Sequence, residues 1–259
     1  MRRPWRGATV AAVVGVLAVS AAPAGSASDQ PGASGPGDES GNSHHSLVFP
    51  KTARPYGADM TTWAERAVQW IYAQPYEQNP AFDQTGVHCA MGQQGPVWFI
   101  PPIFVPPGTP RPIIQDASRT CTIPAHKPIL LDIGALTLPY PCPDESFAPA
   151  PGQSLYDFLI DIAGPIMDSV DFLEVTIDGR DIPDVLSYRF GSDDLFQLTG
   201  HPSLQSRLDD CITGHPQPAV TDGFFMMIKP LASGVHRVVV HGTNTFGDDR
   251  TYTYHLTVV

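Results

Sequence analysis

Over residues 251–258 polar and apolar positions change places at every step. Tyr252, Tyr254, Leu256 and Val258 alternate with Thr251, Thr253, His255 and Thr257. A period of two puts the first set on one side of a strand and the second on the other, as a half-buried antiparallel sheet requires. Shorter runs of the same kind lie upstream at 223–228, 235–241, 172–177, 186–190 and 195–198, parted by Gly/Pro turns, and Asp178-Gly179 reads as a hairpin turn. In the first half, 96–101, 121–124 and 129–133 are predicted strands.

Two stretches change to a helical period. Trp63, Ala67, Trp70 and Ile71 share one helical face, behind Thr62 as N-cap with Glu65 at N3, and Pro75 ends the run. Ser154 caps a second helix with Leu155, Phe158, Leu159 and Ile162 on its apolar face, and Gly164-Pro165 is expected to stop or kink it. Prolines crowd 101–112 and 140–152, which read as stiff excursions facing outward. The pattern predicts a mainly β protein: an antiparallel β-sandwich, immunoglobulin-like or jelly-roll-like, with two short helices.

The ends of the pattern set the domain limits. Arg2, Arg3 and Arg6 precede an apolar run from Ala8 to Val19 and then small residues to Ala27. That order predicts a cleaved signal peptide over 1–27 and a secreted, extracellular product with no stable membrane anchor. Arg2-Arg3 raises a twin-arginine route, without the polar residue that usually precedes the pair. Residues 28–54, rich in Ser, Gly and Pro, are expected as a disordered linker, and 55–259 as the single folded domain. Removing 1–27 takes three arginines and leaves 12 Lys+Arg against 26 Asp+Glu, a net charge of −14. Such a surface repels nucleic acid.

Four cysteines remain: Cys89, Cys121, Cys142 and Cys211. In an exported chain they predict two disulfides. Three pairings are possible. Cys89–Cys121 with Cys142–Cys211 is favoured, because Cys89 and Cys121 border predicted strands in the same half. The spacing matches no zinc motif.

Asp83-Gln-Thr85-Gly86-Val-His88-Cys89, followed by Gln93-Gln-Gly95-Pro96-Val-Trp98-Phe99, is the stretch on which the first half is organised. With Cys121-Thr-Ile-Pro124, Lys127-Pro-Ile-Leu130 and the later Asp178-Gly179, Tyr188-Arg189 and Asp222-Gly223-Phe224, it resembles a group of secreted bacterial proteins. That group shares a D-x-T-G-x-x-C…Q-x-G-P-V-W-F…C-x-[IV]-P-x-x-K pattern. The resemblance covers most of 60–259 and implies no activity. The chain departs from the pattern at His126, where glycine is expected, and in the proline-rich insert at 101–112.

No G-x-S-x-G, H-E-x-x-H, P-loop or dinucleotide fingerprint is present. His88 with Asp83 is the candidate catalytic pair, Asp83 doubling as a cap for its own turn. His241 and His255 are the candidate metal ligands across a hairpin, and His201 with His215 a further pair. No cofactor is predicted. Calcium is weighed at Asp178/Asp181, Asp193-Asp194, Asp209-Asp210 and Asp248-Asp249, each of which supplies too few oxygens by itself. Trp98 and Tyr140 are the candidate ligand-binding aromatics. The expected role is an extracellular binding or interaction module for a protein or glycan; the alternative is a secreted hydrolase or cyclase using a His/Asp pair.

Overall fold

Met60 to Ala73 forms the first helix, α1, and the residue that starts it is Asp59. Its Oδ1 accepts from the Thr62 N–H at 2.9 Å and the Thr62 hydroxyl at 2.6 Å. Thr62, expected as the cap, therefore lies inside the first turn, because a carboxylate three residues earlier takes the free N–H groups first. The helix ends at Gln74, before Pro75. The computed structural model describes residues 46–105 and 108–259. The expected signal peptide, most of the linker, and Pro106-Pro107 lie outside the described residues.

Among the described residues ten strands make two five-stranded sheets. The first sheet runs β1 (Trp98–Ile100), β3 (Ile129–Pro139), β8 (Gln217–Ile228), β6 (Arg189–Gly191), with β7 (Phe196–Leu198) also on β8. The second runs β2 (Ile114–Ile123), β10 (Asp249–Val258), β9 (Gly234–Asn244), β4 (Val170–Ile177), β5 (Arg180–Asp181). The expected sandwich is present, with mixed rather than purely antiparallel sheets. β1 pairs parallel to β3, and β2 parallel to β10. Parallel neighbours need a crossover, and β2, lying in the other layer, is the crossover between β1 and β3.

Between the sheets, Trp98 on β1, Ile129, Leu131 and Ile133 on β3, and Met226 on β8 share one core with Cys121, Val175, Val238, Tyr254 and Leu256 of the second sheet. The other face of the first sheet, with Phe99, Leu130, Phe225 and Met227, packs on Trp63, Ala67, Trp70 and Ile71 of α1. β3 and β8 are therefore covered on both faces, which explains their continuous apolar runs.

The far edge of β8 is closed piecewise by β7, β6 and a bridge from Val48 to Ile228. Phe49 N–H donates to Met227 O and Lys229 N–H to Leu47 O, both at 2.8 Å. Residues 47–49, expected in the linker, are thus part of the sheet, because a buried edge must pair its backbone groups.

The second helix, α2 (Leu155–Met167), is capped by Ser154, whose Oγ accepts from the Asp157 N–H at 3.0 Å. It packs on β3 and β8. Gly164-Pro165 does not stop it: the helix continues to Met167, which is buried in the sandwich core. Residues 186–190, expected as a strand, divide into a 3-10 turn at Val185–Ser187 and β6. Asp178 and Gly179 both have positive φ, 52° and 72°, the backbone of a tight hairpin turn. The disulfides are Cys89–Cys121 and Cys142–Cys211, as favoured.

The proline-rich segment after β1 does not face outward at its start. Pro101, Pro102 and Ile103 are buried. Three successive carbonyls are tied to the second sheet: Pro101 O accepts from the Tyr254 hydroxyl at 3.1 Å, Pro102 O from Arg119 Nη2 at 3.4 Å, and Ile103 O from Gln115 Nε2 at 3.3 Å. Proline lacks an N–H for a ladder, so side chains hold this strap.

Candidate functional site

The Asp83–Cys89 turn is an edge clip. Asp83 Oδ1 accepts from the Thr85 N–H at 2.8 Å and hydroxyl at 2.7 Å, and Oδ2 from the His88 N–H at 2.8 Å. Burial pushes the Asp83 carboxyl up, but the His88 backbone and Thr85 outweigh it and hold it at about 2. Thr120 N–H donates to Thr85 O at 3.1 Å, and the disulfide to Cys121 locks the clip onto β2. Gly86 has φ +95°, and a Cβ there would lie 1.9 Å from Thr120 O. Asp83 therefore touches the backbone of His88, not its imidazole. The contact between the two candidate catalytic residues is thus a backbone one, within a turn.

The other sequence candidates scatter. Trp98 and Phe99 are both buried, on opposite faces of the first sheet, so neither offers a platform. Tyr140 is half-buried, with its ring 6.5 Å from that of Phe147. His241 pairs in register with Thr251, whereas His255 pairs with Arg237. Four residues of strand, roughly 13 Å, separate them, too far to share a metal ion. His241 Nε2 instead meets Asp249 Oδ1 at 3.0 Å. His201 Nδ1 meets Ser203 Oγ at 2.8 Å as a local cap.

The carboxylate pairs weighed for calcium are largely committed elsewhere. Asp178 accepts from the Arg237 N–H and meets His236. Asp248 is held by two arginines. Among the described residues one cluster of three acidic or thiol side chains occurs, Asp209, Asp210 and Cys211. The Cys211 sulfur is in a disulfide, so it offers no thiolate.

A mostly apolar concave feature lies elsewhere, where the two sheets part beside α2. It is a cleft of about 200 Å³ walled by Ile133, Gly134 and Phe224 from the first sheet and Val240, Gly242 and Tyr252 from the second. The strap forms one side through Pro102 and Phe104. Two of the wall positions are glycine. A Cβ on Gly134 would meet nothing within 4 Å, while one on Gly242 would come within 2.7 Å of Leu173. A second hollow, of about 350 Å³ beside Phe172 and Leu186, is wider and lined by Glu174, Asp181 and Asp184.

The cleft mouth carries Arg111, Asp248 and Arg250. Asp248 is 3 % exposed; its Oδ2 accepts from Arg111 Nη1 at 2.5 Å and Arg250 Nη2 at 3.1 Å. Its Oδ1 accepts from the Ile113 N–H at 2.8 Å. Burial raises the Asp248 carboxyl, but that N–H, Asn244 and the two guanidinium groups hold it below its ordinary value. The Arg111 side chain is 54 % exposed and lies over Phe246.

Of these mouth residues the sequence singles out only Asp248, as half of an acidic pair, and neither arginine stands out there as a site. One signal is present: carrying the alternation of Tyr252, Tyr254 and Leu256 back one step puts Arg250 on the inward face. The same reasoning places Arg119 inside, in step with Ala117, Cys121 and Ile123 on β2. Arg119 is 2 % exposed, and its Nε and Nη1 have no hydrogen-bond partner.

No family model matches the chain, and no curated protein does. A solved structure titled "Solution Structure of Amebosin" is similar over 57 % of this chain and 99 % of its own, at 12 % identity and a TM-score of 0.19. That likeness is too low to bear on fold or function.

Proposed function

We propose that this chain is exported and acts outside the cytoplasm as a binding module that holds a small ligand in the cleft between its sheets. The observation that carries the reading is the cleft itself: mostly apolar walls, two of them glycine, and a charged mouth. Ligand sites are typically concave and mostly apolar, with few polar groups. Export is supported by the basic, apolar and small-residue order of 1–27 and by the two disulfides. Among the described residues no helix is long and apolar enough to cross a membrane. Kinship with the secreted bacterial group, read from the Asp83–Phe99 motif, belongs to the same proposal.

The test is binding of a neutral apolar probe, toluene, followed by NMR on the oxidised protein. Chemical-shift changes should centre on Ile133, Val240 and Tyr252. Gly134→Leu, which grows a side chain into open space, should abolish them. Absence of any shift at saturating toluene would remove the small-ligand reading.

A further inference from the structure

We infer that the cleft takes a small organic acid, with an apolar body about the size of one aromatic ring inside and its carboxylate at the mouth against Arg111. This rests on the small-ligand reading above and names the chemical class of the ligand.

Size sets the body. A cavity of about 150 Å³ lined by apolar side chains admits benzene, and this cleft is about 200 Å³. A single ring or a short branched chain fits, whereas a long acyl chain or an oligosaccharide does not.

The polar groups at the mouth set the sign of the ligand's charge. The Ser169 hydroxyl donates to Ile166 O at 2.6 Å, and the Thr243 hydroxyl to Asp171 Oδ1 at 2.6 Å. The Tyr252 hydroxyl donates to Gln115 Oε1 at 3.2 Å. The Asn244 amide donates to Asp248, and its oxygen accepts from the Phe246 and Asp248 N–H groups. Asp248 receives two guanidinium groups, an amide and a backbone N–H. The Asp248 carboxylate is therefore fully committed and offers nothing to an incoming cation.

The guanidinium groups are different. Arg111 spends one nitrogen on Asp248, which leaves further N–H donors directed by a planar fork. Arg111 and Arg250 share Asp248, and the exposed Asp171 lies to one side on the Thr243 hydroxyl, so positive charge is concentrated at the Arg111 corner of the mouth. Behind the wall, Arg119 adds an unneutralised cation, bonded to the carbonyl of the lining residue Pro102. Spare donors and positive potential above an apolar pocket complement a carboxylate on a small apolar body.

The experiment compares benzoate with benzamide, its neutral near-isostere, on the full oxidised chain by NMR titration at low salt. Benzoate is expected to bind at least about tenfold tighter, with the advantage shrinking in 0.5 M NaCl. Arg111→Gln should reduce the preference for benzoate over benzamide to under about threefold. Inorganic phosphate, which has no apolar body, should not displace benzoate. Equal affinity for benzoate and benzamide, with toluene still bound, would overturn the acid and leave the small-ligand reading standing. Loss of all three probes would remove both. A benzoate preference unchanged in Arg111→Gln would also overturn the inference, because the anion would then be held elsewhere.

Discussion

Arg189 grips Asp222 through two parallel hydrogen bonds, Nε to Oδ1 at 2.9 Å and Nη2 to Oδ2 at 2.6 Å. The same guanidinium reaches Asp168 and, at 3.0 Å, the Gly164 carbonyl. One side chain on β6 therefore joins the end of α2 to the middle of β8. Lysine cannot reproduce this fork. Arg189→Lys should cost about 2–3 kcal/mol, measured by urea unfolding. Asp222→Asn should cost a similar amount, and the double variant less than the two single losses added.

Asp132 gives the stability a pH dependence. Burial pushes its carboxyl up to about 8, opposed by one N–H from Gly134, and its Oδ1 has no partner. The folded value exceeds the ordinary 3.8, so the native state keeps a proton that the unfolded chain has released. Stability is then fullest below about pH 4 as far as this group is concerned, and falls as pH rises towards 8, by at most ~1.4 kcal/mol per unit. Asp132→Asn should flatten that slope. Parallel slopes in the two proteins would show that Asp132 does not titrate in this range.

His126 sits at φ +67°, in the left-handed region, on an exposed turn. Side chains with a Cβ are strained there, and glycine is not. His126→Gly should therefore stabilise the protein by about 0.5–1 kcal/mol despite the added freedom of the unfolded chain. A lower melting temperature would mean that the imidazole makes a contribution larger than the strain.

Arg119 is a cation in the core whose one hydrogen bond is 3.4 Å long. Burial lowers its pKa. Replacing an uncompensated buried charge by an apolar side chain of similar length removes the desolvation cost. Arg119→Met should raise stability by about 1–3 kcal/mol, whereas Arg119→Ala should lower it by leaving a void. Destabilisation by Arg119→Met would assign the strap tie the larger weight.

Much of the fold was legible because it follows local rules. Period-two alternation located β9 and β10, helical spacing located α1, and the Asp-Gly dipeptide at 178–179 gave the hairpin turn. What stayed hidden depends on partners distant in sequence. Nothing local to Val48 says that it closes an edge of β8, and nothing in β2 announces a parallel match to β10. The candidate site was hidden for a related reason. Arg111, Asp248 and Arg250 meet only after the strap and the end of the second sheet come together, and the apolar walls come from both sheets. His88 and Asp83 are close in sequence, yet their relation is a backbone hydrogen bond.

The parallel seam between β2 and β10 has a consequence for biogenesis. β10 lies between β9 and β2, so the second sheet stays in two pieces until that strand has been synthesised. Contacts this far apart in sequence form slowly. A nascent chain stalled before Asp249 should thus expose two open strand edges and remain protease-sensitive.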